Sequence, residues 1–292
     1  CDMVLTDEDT VIERSDVIFA SLPHGLCEKL AGKAVEKGKK FIDLGADFRL
    51  AEEADYQEWY GLSYNDKELH QKSCYCIPEL HRERINNRIS IIGNPGCYPT
   101  SIALALAPLM KLGLVNEQHI IIDAKSGITG SGRKANVSLL YAEAGESIKA
   151  YGIANHRHTP EIEQELSKVA GEPICLQFTP HLMPMKRGIL ATIYIDLLKD
   201  VTEDDLYAIY QKYYGDEKFV RIRRGMCETR FVTGTNYCDI SVRVDRRTNR
   251  AIITSCIDNM MKGAAGQALQ NMNIICGLEE SAGLDRLSIA AP

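Results

Sequence analysis

The sequence predicts an α/β protein: a parallel sheet in the first third, then an α+β domain built on a mixed sheet. Three observations predict it. Short apolar runs alternate with amphipathic stretches from Val17 to Leu112, longer apolar runs with few helical patterns follow, and 292 residues are enough for two domains. A composition of 45% hydrophobic and 25% charged residues excludes disorder and low complexity.

Taken in order, Val17–Leu22 reads as a strand, Leu26–Lys37 as a helix closed by Gly38, and Lys40–Leu44 as a second strand. Near-continuous apolar strands between helices indicate a sheet covered on both faces. From Phe48 to Ile85 the pattern loosens into a polar stretch dotted with Tyr56, Trp59, Tyr60 and Tyr64, which reads as a wandering surface segment with short helices. Ile89–Ile92 is a strand, and Thr100–Leu112 has helical spacing and stops at Gly113. Strands then follow at His119–Ala124, Ile174–Thr179 and Leu190–Leu197, with Tyr237–Val244 and Ala251–Ile257 forming a hairpin across residues 245–250. Lys262–Cys276 is a small-residue-rich helix.

Forty acidic and 34 basic side chains leave a net charge of -6, so no basic field points to nucleic acid or an anionic membrane surface. The most apolar window, Ser101–Leu114, is interrupted by Pro108, Lys111 and Gly113, and no run of about 18 apolar residues could span a bilayer. No signal-peptide pattern opens the chain. The ten cysteines are scattered without framework spacing and read as reduced thiols of a cytoplasmic protein. Cys74 and Cys76 lack CxxC spacing, so no metal site is expected. The chain opens at Cys1 and soon enters an apolar strand, and the reading expects a segment upstream of it.

Four stretches carry candidate chemistry. In Gly93-Asn94-Pro95-Gly96-Cys97-Tyr98-Pro99-Thr100 the glycines let the backbone bend, placing Cys97 on a tight turn before a helix. Helix-start amides favour thiolate over thiol and can hold an oxyanion, so Cys97 is the candidate nucleophile. In Asn155-His156-Arg157-His158-Thr159-Pro160-Glu161-Ile162, Thr159 reads as an N-cap and Pro160 as the first helical residue. Extended chain before that helix would point His156 and His158 the same way, with the helix dipole lowering their pKa values, and Arg157 could meet an anion. Ser126–Lys134, glycine-rich and hydroxylated after a strand, reads as a phosphate or cofactor loop or as an ordinary turn. Pro184–Gly188, with Lys186 and Arg187, is a cationic candidate or a charged hairpin turn.

Residues 93–100 closely resemble the active-site signature of the N-acetyl-gamma-glutamyl-phosphate reductase family. The likeness continues through Leu22-Pro23-His24-Gly25, Ile42-Asp43-Leu44-Gly45-Ala46-Asp47-Phe48-Arg49-Leu50, Asp123–Gly127, His156–Ile162, Phe178–His181, Arg187–Thr192, Ile257–Asn259 and Lys262–Gln267. The resemblance implies a partial Rossmann-type domain over residues 1–96, a catalytic and dimerisation domain over 97–260, and a C-terminal helix over 261–292 packing back on the first domain. It implies NADPH as cofactor, a homodimer or homotetramer, and an acyl phosphate as substrate, with phosphate released. The implied reaction is reductive dephosphorylation of N-acetyl-L-glutamyl 5-phosphate to the 5-semialdehyde, in arginine biosynthesis, through a Cys97 thioester. His156 or His158 would manage the proton. Asn94, Arg157, Lys186 and Arg187 are implied at the substrate, and Ser21, Pro23, Ser126, Gly127 and Asn259 at the cofactor. The family's usual pyrophosphate-binding strand, turn and helix are not in these residues, an expectation that puts cofactor affinity in doubt.

Three other readings compete. An aminoadipyl-phosphate reductase of lysine biosynthesis differs by one methylene of substrate, worth about 1–3 kcal/mol. A cysteine hydrolase needs the thiol and a histidine but has no use for the Asp258-Asn259 and glycine-rich blocks. A non-catalytic remnant would only associate with full-length subunits.

Overall fold

The computed structural model describes residues 4–86, 88–110 and 112–285. Cys1, Lys111 and residues 286–292 of the expected C-terminal segment lie outside the described residues. Two compact units form: Cys1–Pro95 with Ala268–Ala282, and Gly96–Gln267 with Gly283–Pro292.

The first unit runs α1 (Glu8–Arg14), β1 (Val17–Ala20), α2 (Cys27–Glu36), β2 (Lys40–Asp43), α3 (Glu53–Tyr60), α4 (Lys67–Gln71), β3 (Ser73–Tyr75), α5 (Pro78–His81) and β4 (Ile91–Gly93). Its strands are all parallel, in the order β1-β2-β4-β3. Strand alternation sends Ile18, Phe41 and Ile91 to one face, against Ala31 and Ala34 of α2. Val17, Ile42 and Ile92 go to the other, against Ala268 and Met272 of the helix Gly266–Ile275. Both faces are therefore covered, as a parallel sheet requires.

The stretch expected to wander over the surface with short helices does so for much of its length, as α3, α4 and α5, but it also sends part of its residues inward. Phe48, Tyr56, Leu69, Cys76 and Ile77 are buried, and Ser73–Tyr75 supplies a fourth strand. Three residues are too few to show a strand period. Tyr56 is buried and Tyr64 half-buried, and their hydroxyls are satisfied: Tyr56 donates to Asp47 at 2.8 Å and Tyr64 to the Leu50 carbonyl at 2.7 Å.

The second unit runs α6 (Cys97–Met110), β5 (Val115–Gly127), α7 (Tyr141–Ala144), β6 (Lys149–Ala150), α8 (Thr159–Ala170), β7 (Gln177–Met183), β8 (Ile189–Leu197), α9 (Glu203–Tyr214), β9 (Val220–Ile222), β10 (Cys238–Asp245) and β11 (Arg250–Ile257). Its sheet, β6-β7-β5-β8-β11-β10-β9, is mixed: β7 is parallel to β5 and β9 to β10, and the other pairs are antiparallel. The β10–β11 hairpin is the one expected.

Three features depart from the sequence reading. First, α6 begins at Cys97, and every residue from Tyr98 to Met110 is buried. Pro108 sits inside it and has no N–H for the Leu104 carbonyl. Tyr214 of α9 donates its hydroxyl to that carbonyl at 2.7 Å, which lets the helix run on. Second, α9 itself went unread. It starts at a Thr202–Asp205 capping box and buries Leu206, Tyr210 and Tyr214, a tyrosine-rich stripe that hides the apolar period.

Third, residues 184–188 are no hairpin turn, because β5 lies between β7 and β8. They form a strap across the end of β5. A Cβ on Gly127 would stand 2.8 Å from the Lys186 carbonyl and the Arg187 nitrogen, so only glycine fits beneath the strap. No helix among the described residues is long and apolar enough to cross a membrane.

Candidate active site

Cys97 is the first residue of α6, half-buried, rather than a residue of the turn before it. Hydrogen bonds hold the peptide groups preceding it. The Gly96 N–H donates to Oε1 of the fully buried Glu161 at 2.7 Å. The Gly96 carbonyl accepts from the Thr100 hydroxyl at 2.9 Å, and that hydroxyl accepts from Gln267 at 2.7 Å. A five-residue π-turn, Met261–Ala265, precedes the helix Gly266–Ile275, where the sequence reads as uninterrupted helix. A Cβ on its Gly263 would lie 2.8 Å from the Cys97 Cβ, so the turn closes on the cysteine only with glycine there.

Tyr98 gathers the histidines. Its ring meets His156 at 5.7 Å, His158 at 5.9 Å and Phe178 at 5.1 Å, all edge-on. The two imidazoles are 4.9 Å apart. The Tyr98 and Tyr151 hydroxyls are hydrogen-bonded at 3.1 Å. The histidines do not converge through extended chain. α8 begins at Thr159, not Pro160, and His158 takes the capping position in helical conformation without a side-chain cap. The chain turns instead, the Thr159 N–H donating to the His156 carbonyl at 2.9 Å.

His156 accepts the His158 N–H at its Nδ1, 3.1 Å away, which places the neutral ring's proton on Nε2. Burial, and secondarily the Arg157 guanidinium, pushes its pKa down to about 4. Burial dominates there, rather than the helix dipole the sequence reading invokes. Burial likewise raises Tyr151 to about 12, so its hydroxyl stays protonated at neutral pH. Arg157 is exposed.

The strap across β5 collects the other candidates of this unit. Gly127 donates its N–H to the Gly188 carbonyl at 2.9 Å, and Thr129 donates its hydroxyl to the Lys186 carbonyl at 2.6 Å. Asn259 braces both sides, accepting the Gly188 N–H at 2.7 Å and donating to the Thr129 hydroxyl at 3.0 Å. Ser126 is buried, its hydroxyl donating to the Gly127 carbonyl at 3.1 Å. Lys186 is exposed, and Arg187 lies 3.7 Å from the fully buried Asp258 carboxylate.

In the first unit, Ser21 and Pro23 are exposed just past the carboxyl end of β1, where open α/β sheets take ligands. The start of α2 does not fit a phosphate, because Gly25 and Cys27 already donate their N–H groups to the Asp47 carboxylate at 2.8 and 2.9 Å. Asn94 is a brace: it donates to the Asp43 carbonyl at 2.8 Å, accepts from Arg49 at 2.9 Å and receives the Asn271 amide at 3.3 Å.

Sequence reasoning missed Tyr98, Tyr151, Glu161, Gly263 and Gln267. Only the small-residue run around Gly263 carried a local sign, since such runs mark close backbone approach.

The family model described as semialdehyde dehydrogenase, dimerisation domain, matches residues 97–259, and that described as semialdehyde dehydrogenase, NAD binding domain, matches residues 1–88. The N-acetyl-gamma-glutamyl-phosphate reductase of Brachyspira hyodysenteriae is 50% identical, over 97% of this chain and 83% of its own. That of Moorella thermoacetica is 47% identical, over 98% and 82%. Among solved structures, aspartate semialdehyde dehydrogenase II of Vibrio cholerae superposes with a TM-score of 0.68 at 18% identity, over 91% of this chain and 81% of that one. At that identity the likeness speaks for the fold alone.

Proposed function

The chain belongs to the N-acetyl-gamma-glutamyl-phosphate reductase family, and from that premise we propose how its residues reduce N-acetyl-L-glutamyl 5-phosphate to the 5-semialdehyde with NADPH. The observation that carries the reading is Cys97 at the start of a buried helix whose next residue, Tyr98, holds both imidazoles in van der Waals reach. The Cys97 thiolate attacks the acyl carbon and the carbon–oxygen bond to phosphate breaks, leaving a thioester. A nicotinamide cofactor, when bound, would supply hydride for the acyl carbon. The thiohemiacetal on Cys97 gives its hydroxyl proton to the neutral His156 and collapses to aldehyde and thiolate.

His156 enters neutral, its low pKa leaving the ring free to take a proton at neutral pH. His158 shares the aromatic box and positions the substrate. Arg157, Lys186 and Arg187 meet the phosphoryl end, while Asn94 acts by bracing. Ser21 and Pro23 are the first unit's candidates for the cofactor; Ser126 and Gly127 are the second unit's, with Asn259 keeping the strap over Gly127 in place. We place the enzyme in the cytoplasm as a homodimer or homotetramer. Assembly is supported by one face of the seven-stranded sheet, where Ile121, Tyr194 and Ile252 form a cross-strand row and Ile121 is 39% exposed.

The test is turnover by the purified chain with acyl phosphate and NADPH, the aminoadipyl and aspartyl phosphates serving as competitors. Preference for N-acetylglutamyl phosphate is expected. Equal or faster turnover of either competitor would reassign the substrate, and thiol-dependent hydrolysis without NADPH oxidation would reassign the reaction class.

A further inference from the structure

Gly96, the residue before the nucleophile, has the backbone freedom of any glycine, yet both of its peptide groups are tied down. Its N–H goes to Glu161, and its carbonyl receives two donors from one residue: the Thr100 N–H at 3.0 Å and the Thr100 hydroxyl at 2.9 Å. The first is the ordinary bond of a helix's opening turn; the second exists only because residue 100 carries a hydroxyl. Thr100 is fully buried, and so is Gln267, whose Nε2 donates to the same hydroxyl at 2.7 Å.

Proton counting fixes the direction of this chain of bonds. The Thr100 hydroxyl gives its single proton to the Gly96 carbonyl, so toward Gln267 it accepts. Gln267 must present its amino end, which leaves its Oε1 buried with no hydrogen-bond partner among the described residues. A buried acceptor without a partner lowers stability, so stability does not account for a glutamine here. What the amide does is keep the Thr100 hydroxyl facing Gly96. The π-turn Met261–Ala265 delivers it there: one extra residue in a turn rotates everything after it by about 100°, and Gln267 is the second residue past that turn.

The peptide between Gly96 and Cys97 is trans, so its carbonyl and its N–H point in opposite directions. Holding the Gly96 carbonyl into α6 therefore directs the Cys97 N–H out of the first turn. We propose that Gln267 is a positioning residue for acyl transfer: acting through the Thr100 hydroxyl, it aims the Cys97 N–H at the oxygen of the acyl group that the Cys97 sulfur attacks. The inference rests on Cys97 as the nucleophile of the proposed reaction and extends that reading to one peptide plane. In the attack the sulfur–carbon bond forms and the carbonyl π pair moves onto oxygen. The Cys97 N–H donates to that oxyanion until the carbonyl re-forms and the leaving group departs with its electron pair. A misplacement of about 1 Å in such a group costs up to about a hundredfold in rate.

The experiment separates acylation of Cys97, which develops an oxyanion, from alkylation, which does not. The purified wild-type chain is compared with Thr100→Val, Thr100→Ser, Gln267→Met and the double variant Thr100→Val/Gln267→Met. The acyl donors are N-acetylglutamyl phosphate and p-nitrophenyl acetate, the latter read as the burst of p-nitrophenolate that is absent in Cys97→Ser. The alkylating agent is iodoacetamide, its rate followed against pH. Acylation by both donors should fall about tenfold or more in Thr100→Val and about threefold or more in Gln267→Met, and stay within about threefold of wild type in Thr100→Ser. The double variant should be no slower than Thr100→Val by more than about twofold, because the two side chains act along one path. The alkylation rate and the midpoint of its pH profile should be unchanged in all of them. Alkylation falling in step with acylation would overturn the inference, because the pair would then act on the thiol or on the fold. Unchanged acylation in Gln267→Met, loss in Thr100→Ser equal to that in Thr100→Val, or fully additive losses in the double variant would also overturn it. If the split between acylation and alkylation is found with p-nitrophenyl acetate while N-acetylglutamyl phosphate does not react with the wild type, the positioning role stands and the proposed substrate falls. Failure of wild-type Cys97 to be acylated by either donor would overturn both.

Discussion

His156 is the residue at which electrostatics makes the sharpest statement. Its imidazole is held near pKa 4 by burial, so it is neutral across the physiological range. If it takes the proton of Cys97, the acid limb of kcat/KM should fall with an apparent pKa near 4, well below the ordinary histidine value of about 6.5. His156→Asn should lower kcat by about two to four orders of magnitude, and a limb at the ordinary value would pass the role to His158. The stability consequence has a definite sign. A base with a depressed folded pKa contributes stability that is complete above the unfolded value and is lost as pH falls through about 4, so the melting temperature should drop over that window and recover in His156→Asn. Cys97 and the histidine pair were legible in the sequence because each sits in a compact local pattern. Glu161 and Tyr151 were not, because each acts through a hydrogen bond to a residue 65 or 53 positions away.

Among the elements, α6 depends on α9 in a way neither sequence segment announces. Pro108 would ordinarily break a helix, at a cost of about 3 kcal/mol or more. Here the freed Leu104 carbonyl receives the Tyr214 hydroxyl. Tyr214→Phe keeps the ring and removes only that bond, leaving a buried acceptor unsatisfied. It should cost about 1–3 kcal/mol in urea unfolding, and an unchanged midpoint would show that the carbonyl is satisfied otherwise. The parallel sheet and the β10–β11 hairpin could be read beforehand because their side chains alternate or run apolar without interruption. β3 was too short to show a period, and the strap at 184–188 looked like a hairpin because a linear reading cannot see β5 inserted between β7 and β8.

Across the whole molecule, the open sheet face bearing Ile121, Tyr194 and Ile252 should decide the oligomeric state. Ile121→Lys places a charge in that row, and sedimentation should then show a shift toward monomer. An unchanged mass would move the interface elsewhere. Beneath assembly lies the claim that covalent chemistry at Cys97 comes before reduction. Mass spectrometry of the chain incubated with N-acetylglutamyl phosphate in the absence of NADPH tests this most directly. An acyl adduct on the Cys97 peptide, with one phosphate released per chain and neither seen in Cys97→Ser, is the expected result. Phosphate release that persists in Cys97→Ser, or an adduct on another residue, would contradict it.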